Sequence, residues 1–287
     1  MLVFLFYHMD EFCKLLKSTR IENNLNYSTR SSLTDSEIMT ICVYFHHSGF
    51  KTFKDFYIRG ILKYNRKDFK NLVSYSRFIE LKQEIALDMA LLAQLLCHLN
   101  QGNGTFFMDS FPLTVCHNKR ISSNKVFKGF AKRGKTSVGW FFGFKVHIII
   151  DTFGNILKFN FTSGNVADNN QDVLKALLEG IFGKIFCDKG YLLTPEKFRY
   201  FYEKGAHLIH KIKKNMKNKL IDVGDKLMLK KRGVVESVID IFKIHLSVDH
   251  TRHRSRAAFL SNLFSGLIAY FFYAKKPHIA VNLQTIS

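Results

Sequence analysis

The chain has 287 residues, 47% of them hydrophobic, enough for one large core or two modest ones, and this excludes a disordered chain. A formal net charge of +20 points to a polyanionic partner, and the excess is concentrated after residue 100, where 30 Lys and Arg face 13 Asp and Glu. Five scattered cysteines, Cys13, Cys42, Cys97, Cys116 and Cys187, form no C-x-x-C pair and no zinc-like spacing, which argues for reduced, buried thiols in a cytosolic protein.

The chain opens with Met1 to Tyr7, apolar but without a basic n-region and followed at once by Asp10 and Glu11, so a packed N-terminal helix is expected rather than a secretory signal. Thr34 and Glu37 have capping-box spacing ahead of Ile38, Ile41, Cys42 and Phe45, and Gly49 closes that helix. A second helix runs from Thr52 to Gly60. The pair has the outline of a helix-turn-helix, although an ordinary helical hairpin reads the same way. A third helix spans Arg77 to about His98, rich in Leu and Ile and mostly core-forming. Residues 1–100 therefore read as an all-helical domain, DNA-binding if the pair is a helix-turn-helix, and Gln101-Gly102-Asn103-Gly104 marks the boundary to a domain at 101–287.

After that boundary the pattern turns to α/β. Phe106 to Ser110 reads as a buried strand with Asp109 at its end, followed by a basic connection from His117 to Lys135 that carries Lys119, Arg120, Lys132, Arg133 and Lys135. Gly143 to Asp151 and Ile156 to Thr162 form a hairpin around Thr152 to Asn155. Next come a helix capped by Asp168 and running to Ile181, a strand at Lys184 to Cys187, a helix from Pro195 to about Glu203 and a strand at His207 to Ile212. A second basic segment, Lys211 to Arg232, holds Lys213 and Lys214 and leads into a helix from Val234 to about Leu246. The order implies a mixed sheet with helices around it. Ala257 to Ala274 is apolar for 18 residues, but Ser261, Asn262, Ser265 and Gly266 interrupt it, so a buried soluble helix is expected and not a membrane span.

Three acids stand at the exits or edges of core elements: Asp109, Asp188 directly after Ile185-Phe186-Cys187, and Glu236 in the first turn of its helix. If they cluster, their hard oxygens suit two Mg²⁺ or Mn²⁺ ions acting on a phosphodiester. A lone Asp after a strand is otherwise an ordinary turn or cap residue. Asp168 and Asp172 are explained by helix capping, and Asp151 by its turn. His250 and His253 lack a third metal ligand and, with Arg252, Arg254 and Arg256, suit phosphates better. Trp140, Phe141 and Phe142 could stack on an unpaired base, with core packing the alternative.

Four motifs carry a family resemblance: Met108-Asp109-Ser110-Phe111-Pro112-Leu113, Gly134 to Lys145, Cys187-Asp188-Lys189-Gly190-Tyr191 and His250 to Ser255. With Leu33 to Gly49 and Asn71 to Leu81, they resemble transposases of the insertion-sequence 982 family over nearly the whole chain. The resemblance implies a ribonuclease H-like catalytic domain with an Asp-Asp-Glu triad falling on Asp109, Asp188 and Glu236, and double-stranded DNA ends and target as partners. Arg232, Glu236 and Lys243 match a signature of related transposases, except that Leu229 stands where a Tyr is usual. Lys243 lies roughly 10 Å along the helix from Glu236, suited to a neighbouring phosphate, or else is a solvated lysine.

The expected activity is Mg²⁺-dependent cleavage and strand transfer in the bacterial cytoplasm at the nucleoid, by at least a dimer, with no membrane association. A catalytically inactive DNA-binding relic and a stand-alone ribonuclease H-like nuclease are the alternatives.

Overall fold

The computed structural model describes residues 1–22, 32–211, 221–249 and 253–279. They fall into two compact units, Met1–Leu96 with Ile241–Tyr273, and Cys97–Asp240 with the segment from Ala274 onward.

The first unit is helical among its described residues. Helix α1 (Leu2–Glu22) buries Leu5, Met9 and Phe12 on one side. Helix α2 (Asp35–His47) starts at the expected capping box, with the Glu37 amide donating to Thr34 Oγ1 at 3.2 Å and the Thr34 amide donating to Glu37 Oε2 at 2.8 Å. Thr52 caps the next helix, which continues past Gly60 as α3 (Phe53–Asp55), a π-helical stretch Phe56–Ile61 and α4 (Leu62–Tyr64). Gly60 does not stop it because that glycine is buried against Phe56 and Phe50, so its lack of a side chain serves packing. The single helix expected over 77–98 is two, α5 (Tyr75–Glu84) and α6 (Ala86–Leu99), divided at Ile85. No Gly or Pro marks that break, so periodicity runs straight through it.

Helix α11 (Arg256–Phe271) is the buried helix expected near the C-terminus, started by Ser255, whose Oγ accepts from the Ala258 amide at 3.0 Å. Its Ser261, Asn262 and Ser265 are buried. Ser265 Oγ meets His46 Nε2 at 2.9 Å, and the other His46 nitrogen bonds the Leu246 carbonyl. Among the described residues no helix is long and apolar enough to cross a membrane. The boundary read at 101–104 leaves all later residues in one domain, whereas Ile241–Tyr273 groups with the N-terminal helices because α11 packs on α2 and α5.

The second unit is a mixed α/β arrangement around a six-stranded sheet of β1 (Thr105–Cys116), β2 (Lys132–Lys135), β3 (Trp140–Asp151), β4 (Ile156–Ser163), β5 (Gly183–Cys187) and β6 (Ala206–His210). The strand order is β2-β3-β1-β5-β6, with β4 also on β3. Strand β3 runs antiparallel to β1, β2 and β4, while β5 is parallel to both β1 and β6. The β3–β4 hairpin forms as expected, because Asp151 Oδ1 accepts the Phe153 and Asn155 amides at 2.9 and 2.8 Å.

Helices α7 (Gln171–Leu178) and α8 (Pro195–Glu203) close one face of the sheet over Phe106, Met108, Ile149, Ile185 and Cys187. Helix α10 (Gly233–Asp240) packs against β1 and is preceded by α9 (Val223–Lys231). Two elements escape the sequence reading. Strand β2 reads Lys-Arg-Gly-Lys and has no apolar alternation, and α9 is hidden in a run of lysines. The cap of α7 also differs: Asn170, not Asp168, accepts the Asp172 and Val173 amides.

Strands β2 and β4 share one edge of β3, end to end, and glycine makes that handover possible. A Cβ on Gly143 would stand 2.0 Å from the Leu113 carbonyl oxygen, and one on Gly134 2.2 Å from that of Gly164.

Candidate active site

The expectation that Asp109 ends its strand is corrected: β1 continues to Cys116, held by β3 all the way. What ends there is the parallel ladder with β5, whose last pair is Met108 with Cys187. Pro112 follows where β5 no longer pairs with β1, so its missing N–H is tolerated on the open side of the strand. Asp109 and Asp188 are the next residues in register, side by side where the two strands part. Both lie on the face of the paired Phe107 and Phe186, whose rings are 5.7 Å apart, opposite the face covered by α7.

Helix α10 brings the third acid to this face. Val235 and Val238 are fully buried on its inner side, which leaves Glu236 exposed. Arg232, between α9 and α10, bridges the cluster. Its Nη1 donates to Asp109 Oδ2 at 2.7 Å, and its Nη2 bonds Glu236 Oε1 one turn along the chain. The Ser110 amide donates to Asp109 Oδ1 at 2.8 Å.

Burial lifts the Asp109 carboxyl above the usual carboxylate range; Arg232 and the Ser110 amide pull it back without cancelling the rise, and the charge of Asp188 adds to it. Burial works against the Arg232 charge, yet Asp109, Glu236 and Asp188 together hold its pKa above the ordinary guanidinium value. Three carboxylates thus surround one guanidinium. Among the described residues no three His, Cys, Asp or Glu side chains converge on one metal position, because Arg232 stands between Asp109 and Glu236. The donors nevertheless suit a divalent cation: all are hard oxygens, and their negative charge exceeds what Arg232 neutralises.

The family model of the transposase DDE domain matches residues 99–256, more than half of the chain. The chain belongs to that family. No curated protein and no solved structure matches it. DDE domains generally use divalent metal ions, which accords with the oxygen-rich donor set of this one.

Behind Asp109, on the other face of β1, the DDE domain carries a network that sequence reasoning missed. Asp168 Oδ1 accepts from Ser110 Oγ at 2.9 Å and from Lys145 Nζ at 3.0 Å, and Lys145 also donates to the Val166 carbonyl at 2.9 Å. His147, beside Lys145, is buried; burial lowers its pKa to about 4, so it is neutral at physiological pH and meets Thr162 Oγ1 at 3.0 Å. Asp168 is therefore the half-buried partner of a largely buried lysine on an apolar strand and not a helix cap. Lys145 itself was the available signal, since a charge in the run Trp140 to Asp151 requires such a partner. In the Asp188-Lys189-Gly190-Tyr191 motif, Asp188 is exposed, whereas Tyr191 is 1% exposed and belongs to the α7-side core.

The residues expected on DNA are dispersed. Lys119 and Arg120 are exposed in a 3-10 turn, and Lys132, Arg133 and Lys135 are exposed on β2. Arg232 is occupied by the acids. Lys243 lies in the first unit, where its charge opposes the effect of burial on Asp249, and Arg254 is exposed in that same unit. Lys213, Lys214, Arg252 and His250 lie outside the described residues. Phe141 and Phe142 are core residues at 6% and 7% exposure, and Trp140 is not, at 61%.

Proposed function

We propose that this DDE domain protein is the transposase of a bacterial insertion sequence of the 982 type, binding terminal inverted repeats and carrying out strand cleavage and strand transfer. The observation that carries the reading is the register of β1 and β5, which sets Asp109 and Asp188 adjacent on the face to which α10 brings Glu236. A ribonuclease H-like fold is the interpretation we favour for this sheet, with the N-terminal helices as the part that binds element ends.

In this reading Asp109, Asp188 and Glu236 hold two Mg²⁺ or Mn²⁺ ions. Such ions supply activation of the attacking oxygen and neutralise charge at phosphorus and on the leaving oxygen. Asp109, fixed by the Ser110 amide, is the rigid ligand between the two others. Glu236 is exposed and free to adjust. Arg232 bonds both Asp109 and Glu236, so it would have to release one of them for both to hold a cation, and its guanidinium would then be available to phosphate oxygens. Water and then a 3′-hydroxyl are the nucleophiles, so no covalent protein–DNA intermediate forms. Two element ends held together require at least a dimer, and the expected location is the bacterial cytoplasm at the nucleoid.

The test is incubation of purified protein with labelled duplexes carrying the element ends and Mg²⁺, with the cut and joined strands mapped. Cleavage at the ends followed by joining is expected. Hydrolysis without joining would reassign the chain as a nuclease, and end binding without either reaction would make it an inactive relic.

A further inference from the structure

The β2–β3 hairpin is built in a way that the fold does not require. Its turn is closed by the Thr136 amide donating to the Gly139 carbonyl at 2.9 Å and the Gly139 amide donating to the Thr136 carbonyl at 3.3 Å. Val138 at the tip is 98% exposed and Trp140, the only tryptophan in the chain, is 61% exposed. Lys135 pairs across the strands with Trp140, its ammonium 5.7 Å from the ring centroid, and Arg133 pairs with Phe142. Alternation along the strands therefore puts Arg133, Lys135 and Trp140 on one face, with the buried Phe142 as the anchor. Asn118 Nδ2 donates to the Trp140 carbonyl at 2.7 Å, which fastens the exposed Lys119 beside the same hairpin.

Protection of a sheet edge explains lysine and arginine on β2. It does not explain tryptophan. A large ring left mostly in water beside cations fits a partner with both negative charge and flat or apolar surface, which is the chemistry of nucleic acid.

Position decides which part of the DNA. Asp109 is opposite Ile148 on β3, and Trp140 lies eight residues further toward the hairpin turn. At about 3.4 Å per residue this is about 27 Å from the carboxylate cluster, or about eight base pairs at 3.4 Å each. An unpaired base at the cleaved end is out of reach; flanking duplex is not.

Resting on the transposase reading, we propose that the β2–β3 hairpin is a DNA-contacting arm that grips duplex about eight base pairs from the reacting phosphate, with Arg133, Lys135 and Lys119 on phosphates and Trp140 against the sugars of the groove.

The experiment is a titration of the full chain with a fluorescein-labelled duplex carrying an element end, read both by fluorescein anisotropy and by tryptophan emission, to which only Trp140 contributes. Emission should change and saturate together with anisotropy. Trp140→Ala should weaken binding about 5- to 10-fold, and Arg133→Gln with Lys135→Gln should reduce the slope of log affinity against log salt by about 2. Trimming the flank on the arm's side below about eight base pairs should remove the difference between wild type and Trp140→Ala. Saturating anisotropy with unchanged emission would overturn the arm and leave the transposase reading standing. Absence of binding to any duplex would overturn both. The emission measurement uses the unaltered protein, so it decides even where a variant fails to fold.

Discussion

Replacing Arg232 by Gln tests whether its guanidinium acts as the resident cation of the carboxylate cluster. Arg232 and Asp109 retain 14% and 20% of their side-chain exposure and meet at 2.7 Å, so their pair is largely desolvated. Breaking a buried pair by removing one partner costs about 3–5 kcal/mol, and the remaining exposure of Asp109 and its bond from the Ser110 amide reduce that to about 2–3 kcal/mol. The contact with Glu236 contributes little, since that carboxylate is 57% exposed and one helical turn away. Arg232→Gln should lower the thermal midpoint of metal-free protein by about 5–10 °C, whereas Glu236→Gln should shift it by about 1 °C. Saturating Mg²⁺ should then raise the midpoint of Arg232→Gln more than that of wild type, because a cation taking the vacated place stabilises the folded form by mass action. Differential scanning calorimetry with and without Mg²⁺ measures both. Equal midpoints for the two variants without metal, or a smaller Mg²⁺ response in Arg232→Gln, would refute the reasoning.

Four further outcomes are expected. Asp109→Asn should abolish end cleavage in gel assays while leaving end binding within about 2-fold, since it removes a proposed metal ligand and one unit of repulsion toward DNA. Asp188→Asn should leave metal-free stability within about 0.5 kcal/mol in urea unfolding, because the repulsion of Asp109 that it ends is offset by the attraction to Arg232 that it also ends, and the side chain is exposed. Gly143→Ala should destabilise by about 3 kcal/mol, since its methyl would meet the Leu113 carbonyl at 2.0 Å and backbone cannot rotate away. His46, fully buried, has its pKa lowered by burial to about 3 from 6.5. The unfolded chain therefore binds the proton first, so the stability this residue contributes is complete above about pH 6.5 and falls toward pH 3 by up to about 1.4 kcal/mol per unit. Acid unfolding followed by circular dichroism should be shallower in His46→Gln than in wild type.

What the sequence made legible was local. The capping box at Thr34 and Glu37, the Asp151 turn and the buried strands at 106–110 and 184–187 each follow from a few neighbouring residues, and each forms. Long-range geometry was not legible. That β1 extends to Cys116 depends on β3 continuing to pair after β5 has left, which no property of Pro112 or Thr114 announces. Asp168 looked like a cap because it precedes an amphipathic helix; its attachment to Ser110 and Lys145 arises only when residues 58 and 23 positions away arrive beside it. Likewise Trp140 belonged with its apolar neighbours in sequence, and the short β2, with hardly an apolar residue to mark it, is what turns it outward.

The place where β1 and β5 separate also explains why this sheet can hold charge at all. Up to Met108 and Cys187 both strands are sealed by α7 on one face and paired through their backbones, and a carboxylate there would be desolvated without a partner. One residue later the ladder opens. Asp188 reaches water, and Asp109 stays mostly buried but on rigid backbone, because β3 still holds it from the other side. Only a positive charge makes that arrangement stable, and the chain supplies one from outside the sheet, on Arg232, just ahead of the helix that carries Glu236. Two acids on strands and one on a helix make the spacing of Asp109 and Asp188 stiff and that of Glu236 adjustable. In the proposed reading, that combination suits a centre that must admit a cation and DNA in turn.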